Sequence, residues 1–372
     1  MKIKHLILLP LLLTLTGCNV SLTSEADVSK TVTDLFGREV TYKESDTKRV
    51  VCLGAGALRI YSYVGDLSKL VGVEKIDKEP FGVGTALRPY YLANQSYFAT
   101  LPIVGQGGPM AQAPEYETLL SVDPTMIISI YSSLETNNEM ADKLGIPVIG
   151  IKQGNSGFFA DEFKQSLTLL GSIFHREERA TSLINYLDSK KQDLAKLSEL
   201  ETHENAYVGC IGNWGKTNAY GTSLNFPILK YAYVNNVVDS IASEFESKAQ
   251  VTIDSEKLIA LNPTRIYLDG AGYAGFLSDY KVNKDKYDVL DAFKNGEVYL
   301  LLPYNAYYSN LEIGLISTYY VAATSYPSEF PNFDIESLAN EVTTAFLGKA
   351  LYSEMKEAST AYGGYHKITS FE

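Results

Sequence analysis

A glycine-rich segment followed by an arginine is the part of this sequence best suited to bind an anion. Gly54-Ala-Gly56-Ala-Leu-Arg59 follows the apolar run Val50–Leu53 and precedes a helical pattern. Backbone N–H groups at such a helix N-terminus attract negative charge, and the Arg59 guanidinium in the first turn adds to this attraction. The alternative is a solvated arginine on a helix face.

The same glycines also resemble a dinucleotide-binding fingerprint, since Glu74 stands about twenty residues after them. The third glycine of that fingerprint is replaced here by Arg59, whose side chain would obstruct close packing of the helix on the strand. We therefore disfavour a nicotinamide-dependent dehydrogenase.

Aromatic residues form a second group of candidate ligand contacts. The chain has 27 Tyr and a single Trp, and many of the tyrosines lie in Gly-, Pro- and Asn-rich stretches that are typical of loops. Their rings can stack on flat ligand surfaces, while a half-buried loop anchor is the alternative for each one. The predicted ligand contacts are Arg59, Arg88, Tyr90, Tyr91, Gln106 and Tyr131 in the first half and Asn213, Trp214, Tyr220, Tyr273, Tyr304 and Asn305 in the second.

The sequence contains no pattern that predicts catalysis or a resident metal. Only His175, His203 and His366 follow the N-terminal segment, and the HExxH, GxSxG and paired CxxC patterns are absent. We expect a protein that is not an enzyme, with no cofactor and no metal site. An exported hydrolase remains the alternative, because a Ser–His pair can be assembled in space.

Length and charge limit the class of protein. The 372 residues are enough for two domains, and a composition of 45% hydrophobic and 20% charged residues is that of a globular protein. The formal net charge of −12 provides no basic face for phosphate backbones, so we expect no nucleic-acid partner.

The N-terminus predicts export and a lipid anchor. Lys2 and Lys4 precede an apolar stretch at residues 6–16, which is too short to span a bilayer. Leu15-Thr-Gly-Cys18 resembles the lipobox of bacterial lipoproteins, with an ordinary secretory signal and a coincidental cysteine as the alternative. We predict a signal peptide at 1–17, a lipidated Cys18 that anchors the protein to an inner or outer membrane, and a polar tether at 18–30.

Two similar segments occur about 139 residues apart. In each, a glutamate precedes a proline by seven residues and an apolar strand-like run follows the proline: Glu117 to Pro124, then Met126–Ile130, and Glu256 to Pro263, then Arg265–Leu268. This repetition predicts two lobes of similar structure.

The predicted elements alternate between strands and helices, which indicates an α/β fold with two Rossmann-like lobes. We place the N-terminal lobe at 31–174, one long rigid connecting helix at 175–200 and the C-terminal lobe at 201–372. Cys52 and Cys210 end equivalent strands of different lobes, so we predict two separate buried thiols instead of a disulfide.

Taken together and in this order, the motifs resemble the class III (cluster A-II) substrate-binding proteins of ABC importers for iron complexes and cobalamin. The resemblance covers nearly the whole chain after the tether. Besides the two Glu-to-Pro segments and the long helix, its markers are Thr31-Val-Thr-Asp-Leu-Phe-Gly-Arg-Glu-Val-Thr41, Arg49-Val-Val-Cys-Leu-Gly54, Leu70-Val-Gly-Val73, Leu101-Pro-Ile-Val-Gly105 and Leu144-Gly-Ile-Pro-Val148.

The resemblance implies a monomer that holds a small-molecule ligand between its lobes and delivers it to an ABC permease and its ATPase. It also implies that Glu117 and Glu256 dock on the permease, whereas stabilisation of a helix dipole is the alternative role for both. The aromatic loops and the arginines Arg59 and Arg88 favour an anionic ferric chelate of the siderophore type. Molybdate or tungstate is the second choice, and cobalamin and haem stay open.

Overall fold

The computed structural model describes residues 27–79, 87–108, 114–155, 157–211, 218–246, 249–305 and 308–371. The predicted signal peptide, Cys18 and most of the tether lie outside these residues, as do Asn213 and Trp214. The described part opens with an antiparallel hairpin of β1, Ser29–Thr33, and β2, Glu39–Lys43.

The first lobe contains a four-stranded parallel sheet in the order β4-β3-β5-β6. Its strands are short and strongly apolar, as expected for a sheet covered by helices on both faces. The strands are β3, Val50–Leu53; β4, Leu70–Gly72; β5, Met126–Ser129; and β6, Val148–Gly150, and the helices are α1, Ala57–Val64; α2, Lys75–Lys78; α3, Pro89–Phe98; α4, Tyr116–Leu120; and α5, Leu134–Leu144.

Two helices lead from the first sheet to the second. The first, α6, spans Asp161–Ile173, and the second, α7, spans Glu177–Ala195 and continues as a 3₁₀ turn at Lys196–Glu199. The α-helical part of the connector is shorter than the predicted 175–200. It cannot include His175, whose φ is 52°, and the connector ends in the tighter 3₁₀ turn. The preceding helix α6 has no counterpart in the sequence prediction.

The second lobe contains a sheet in the order β13-β12-β11-β7-β9, in which β13 alone is antiparallel. A separate two-stranded sheet pairs β8 with β10. The elements in chain order are β7, Asn205–Gly209; β8, Gly221–Ser223; α8, Pro227–Tyr231; β9, Asn235–Asn236; β10, Gln250–Thr252; α9, Ser255–Leu261; β11, Arg265–Asp269; α10, Tyr273–Asp288; α11, Asp291–Lys294; β12, Val298–Leu301; α12, Leu311–Ser325; α13, Ile335–Leu347; α14, Tyr352–Glu357; and β13, His366–Lys367.

The two sheets share one topology, as the repeated segments predict. The order β4-β3-β5-β6 of the first matches β9-β7-β11-β12 of the second. The residues that lead into β5 and β11 are also alike, because Asp123 and Asn262, each directly before a proline, have positive φ values of 46° and 37°. The predicted α/β fold with two similar lobes is confirmed.

A single hydrophobic core joins the two lobes. It includes residues of α1, α6 and α7 together with residues of β7, α8 and α12. The helix α12 lies at its centre: every residue from Leu311 to Ser325 is buried except Thr324. Gly314 allows this close packing, since a Cβ there would stand 2.6 Å from Phe158 and 2.7 Å from Tyr304.

The C-terminal helices return to the first lobe. Helix α13 contacts α1, α3 and α7. Arg179 of α7 donates hydrogen bonds to the carbonyl of Tyr63 at 2.9 Å and to those of Ala345 and Phe346 at 2.7 Å, so that one guanidinium joins the C-terminal ends of α1 and α13.

Cys52 and Cys210 are both buried and free, which confirms the prediction of two separate thiols. Burial raises the pKa of both well above the usual value for a thiol. Within the described residues, we found no helix with the length and apolarity needed to cross a membrane.

Candidate functional site

Loops that follow the carboxyl ends of strands in the two sheets meet each other. Gln153, shortly after β6, donates to the carbonyl of Ser309, after β12, at 3.4 Å. Arg59, after β3, donates to the side chain of Asn310 at 3.0 Å. Open α/β sheets bind ligands at this edge, so the junction of these loops is the candidate site.

The loop between β3 and α1 has the conformation that its glycines predict. Gly54 has a φ of 90°, and a Cβ there would stand 3.1 Å from Ile130. The backbone N–H of Gly54 donates to the buried carboxylate of Glu74 at 3.1 Å. The backbone N–H at the start of the loop is thus bonded to a protein carboxylate, and α1 begins directly after the loop at Ala57.

Arg59 is fully buried in the first turn of α1. Its Nη2 donates to the Oδ1 of Asn310, and its guanidinium carbon lies 4.9 Å from the ring centroid of Tyr90. Glu312, in the first turn of α12, is also buried; burial raises the pKa of its carboxyl, and the Arg59 charge acts against this rise. The solvated alternative for Arg59 does not hold in this structure.

Arg88 and Tyr90 form a second buried group with Asp77. Arg88 donates to the Tyr90 hydroxyl at 3.0 Å and lies 3.4 Å from the Asp77 carboxylate, to which Tyr90 also donates a short hydrogen bond. Burial raises the pKa of Asp77, although the Arg88 charge opposes the change. The charge of Arg88 is therefore largely compensated by a carboxylate of its own lobe.

Asn310 connects these groups to the second lobe. Its side chain is fully buried and donates to the carbonyls of Leu87 and Pro303, both at 3.0 Å. Its backbone N–H donates to the carbonyl of Tyr304 at 2.7 Å. We call Arg59, Arg88, Tyr90, Tyr304 and Asn310 the inter-lobe cluster.

Three helix N-termini converge on the inter-lobe cluster. Arg59 lies in the first turn of α1, Arg88 precedes α3, and Asn310 precedes α12. The N-terminal end of each helix carries a partial positive charge. Together with Arg59, these ends favour an anionic ligand at the junction of the lobes.

Four other predicted contacts keep part of their surface exposed. Tyr131 is half-buried beside Gly54, and Tyr91 is half-buried with its ring 5.2 Å from the guanidinium carbon of Arg88. Gln106 is exposed, and the half-buried Asn305 accepts a hydrogen bond from Ser309 at 3.3 Å. Their roles as ligand contacts stay predictions.

The structure does not bring Tyr220 and Tyr273 to the inter-lobe cluster. Both belong to the outer core of the second lobe, where Tyr220 stacks on Tyr287 and Tyr273 stacks on Phe276. Tyr273 is the first residue of α10, and its ring packs on Phe276 within that core.

Gln153 and Asn310 lie in the candidate site but are not predicted from the sequence. An asparagine directly before a long apolar segment is typical of a helix cap. The Asn310 side chain makes no such cap bond to α12, because its amide is engaged between the lobes. Its partners Arg59 and Leu87 are more than 200 residues away in sequence, so no local pattern identifies them.

Glu117 and Glu256 lie far from this cluster in sequence and are exposed in the first turns of α4 and α9. Each is followed three residues later by an exposed apolar side chain, Leu120 or Ile259. Residues three apart share a helix face, so each lobe presents a carboxylate beside an apolar group.

Surface grooves also occur away from the inter-lobe cluster. One follows α5, one lies between α10 and the chain end, and one lies between α7 and α8. In the described ranges, no three His, Cys, Asp or Glu side chains are grouped as metal ligands.

Comparison with known proteins identifies the family. A family model described as "Periplasmic binding protein" matches residues 50–304. The petrobactin-binding protein YclQ of Bacillus subtilis is 24% identical over 194 residues, which are 50% of this chain and 58% of that protein. The chain thus spans less than two thirds of this relative.

Solved structures share the fold at low identity. A periplasmic solute binding protein of Veillonella parvula has a TM-score of 0.69 and 16% identity, with 89% of this chain and 96% of that chain covered. The molybdate-bound MolA of Haemophilus influenzae has a TM-score of 0.65 and 18% identity, with 86% of this chain and 98% of that chain covered. The TroA-like FepB of V. parvula has a TM-score of 0.64 and 18% identity, with 86% of this chain and 97% of that chain covered.

The buried Asp269 at the end of β11 predicts a pH dependence of stability. Its carboxylate accepts from the backbone N–H of Ala271 at 2.8 Å and of Tyr304 at 3.0 Å, yet burial raises its pKa to about 7. The folded state therefore binds more protons than the unfolded state between pH 4 and 7. As the pH rises through this window, the free energy of unfolding should fall, by up to about 1.4 kcal/mol per pH unit.

Urea unfolding at pH 5 to 8 tests this. Asp269→Asn should remove the part of the fall in stability that is due to this carboxyl. The difference in the free energy of unfolding between wild type and variant should therefore change with pH. Asp334→Asn is the control, since Asp334 is an exposed helix cap and its hydrogen bonds with Ser337 lower its pKa. The free energy of unfolding of this variant should change with pH in parallel with that of wild type. A parallel profile for Asp269→Asn would contradict the prediction.

Proposed function

Because this chain belongs to the periplasmic binding protein family, we propose that it captures an anionic ferric chelate between its two lobes and delivers it to an ABC importer. The observation that carries this proposal is the convergence of three helix N-termini and the buried Arg59 at the junction of the lobes. That arrangement favours negative charge despite the overall net charge of −12.

A siderophore-type chelate is supported by the match to a petrobactin-binding relative. The aromatic surface gives weaker support than the sequence suggests. Tyr90 and Tyr304 are buried among protein groups, whereas Tyr91 in α3 and Tyr131 after β5 are half-buried. Molybdate is the second candidate, because a small oxyanion also suits converging helix N-termini. Cobalamin and haem complete the set of ligands to be tested.

We expect the protein to act as a monomer with a permease and an ATPase. Binding proteins of this family work outside the cytoplasm. The lipobox at Leu15 to Cys18 adds a diacylglycerol anchor to this location, with residues 18–30 as the tether.

Ligand identity is tested by calorimetric titration of the full chain with ferric petrobactin, molybdate, cobalamin and haem. Ferric petrobactin should bind most tightly. Arg59→Gln should weaken that binding at least about tenfold, or about 1.4 kcal/mol, because it removes a buried charge near the anion. The matched control is Arg49→Gln, at the opposite end of β3, which should bind as wild type does.

Circular dichroism establishes that both variants are folded before titration. Submicromolar binding of molybdate together with no binding of ferric petrobactin would replace the ferric chelate by the oxyanion. Equal affinities of wild type and Arg59→Gln would remove Arg59 from the site.

Docking on the permease is tested with a double variant, Glu117→Ala with Glu256→Ala. Both glutamates are exposed and occupy equivalent positions of the repeat, so each can pair with a cation on one permease half. Ligand affinity should stay unchanged, while uptake of the labelled chelate by cells should be lost.

The control for docking is the pair Glu135→Ala with Glu354→Ala, which removes exposed carboxylates from the first turns of α5 and α14. If the loss of a carboxylate from a first helical turn is not by itself the reason for lost uptake, cells with this control pair should take up the labelled chelate as wild type does. Wild-type uptake by the Glu117 and Glu256 variant would contradict the docking role.

Lipidation is tested by intact-mass analysis of the membrane fraction. The mature chain should begin at Cys18 and carry a diacylglycerol, with or without a further acyl group. Cys18→Ser should release the protein from the membrane. A mature N-terminus at any other residue would show that the lipobox is coincidental.

A further inference from the structure

One side chain holds both of the segments that carry the central candidate ligand contacts. Leu87 directly precedes Arg88 and the tyrosines of α3, and Pro303 directly precedes Tyr304. The Nδ2 of Asn310 donates to the carbonyl of Leu87 and to that of Pro303, both at 3.0 Å. These two segments belong to different lobes.

The chemistry of the Asn310 amide matches its surroundings. Its two N–H donors reach the two carbonyls, and its Oδ1 accepts from Arg59 at 3.0 Å. The side chain is fully buried, so water does not substitute for these bonds. Aspartate has the same size but no donor, and leucine has neither donor nor acceptor.

We propose that Asn310 is a positioning residue that fixes the distance between the two ligand-contacting segments, so that the site is formed before the ligand arrives. The inference rests on the proposed ligand-binding function, but the contacts themselves do not depend on which ligand is bound.

The neighbouring contacts restrict the second-lobe segment further. The Tyr304 carbonyl accepts from the backbone N–H of Asn310 at 2.7 Å, and the Tyr304 N–H donates to Asp269 at 3.0 Å. The continuous core beneath it limits movement of the lobes as whole bodies. The Asn310 side chain transfers this restriction to the segment at Leu87, in addition to the contacts that α13 makes with α3.

A preformed site binds more tightly because fewer groups must be ordered on binding. Loss of the two donors leaves two buried carbonyls without these partners and lets the segments separate. Asn310→Asp and Asn310→Ala should therefore both release the segments. The aspartate variant keeps the volume and the contact with Arg59 but adds a carboxyl group, whereas the alanine variant removes the donors without adding a charge. A common effect of both variants is therefore attributable to the two lost donors.

The first test needs no ligand. Hydrogen exchange is measured by mass spectrometry on the unliganded full chain. In both Asn310 variants, peptides that cover 87–92 and 303–310 should exchange at least about tenfold faster, whereas peptides from α9 and β11 should exchange as in wild type.

Asn236→Ala is the matched control. Asn236 also donates twice, to the Ser223 carbonyl at 2.9 Å and to Asp239 at 3.1 Å, but both partners lie in its own lobe. It should leave exchange at 87–92 and 303–310 unchanged. Wild-type exchange at both segments in Asn310→Asp, or uniformly faster exchange along the whole chain, would overturn the proposal.

The second test uses ferric petrobactin as the probe. Both Asn310 variants should show at least about tenfold weaker binding with a faster dissociation rate, and Asn236→Ala should bind as wild type does. Wild-type affinity in a variant whose two segments exchange faster would also overturn the proposal. If the wild-type chain does not bind this probe, the ligand assignment fails, and the exchange measurement alone decides the role of Asn310.

Discussion

The burial of α12 between the two lobes holds the lobes together and places the residues of the inter-lobe cluster. A helix that is apolar on all sides requires partners all round, and α12 has them in α8, α13 and the turn at Gly157–Phe159. The two lobes therefore share one core instead of meeting at a polar interface. Large movement of one lobe against the other would expose this helix to water, which makes a rigid pair of lobes the low-energy state.

The polar contacts at the N-terminus of α12 are set by the same constraint. Arg59 and Asn310 lie at the end of the hydrophobic core that the lobes share, where each buried polar group must have a partner. One Arg59 donor bonds to the Asn310 oxygen across the lobes, and Asn310 also bonds to the Leu87 carbonyl, so the N-terminal ends of α1, α3 and α12 lie close together. The proposed preference for anions rests on this arrangement of backbone dipoles as well as on side-chain charge.

Local patterns in the sequence predict much of the fold but only part of the site. The repeats at Glu117 and Glu256 identify matching helices and strands, since apolar spacing and a proline are local signals. Helix α6 could have been recognised by the same kind of spacing at Phe163, Leu167 and Leu170. Arg59 is recognisable from its glycine loop, whereas its contact with Asn310 joins residues 251 positions apart and depends on the packing of α12. Tyr220 and Tyr273 resemble loop ligands in sequence, but ring packing in the second lobe decides their place.

We propose that a ferric chelate binds at the junction of the lobes, above Arg59 and Asn310, without rearrangement of the lobes. Anomalous diffraction at the iron edge from crystals grown with ferric petrobactin would locate the bound iron. We expect one iron peak between the carboxyl ends of the parallel strands of the two sheets, with the Arg59–Asn310 hydrogen bond intact. An iron peak in the grooves along α5 or α10, or lobes that have closed and broken this bond, would contradict it.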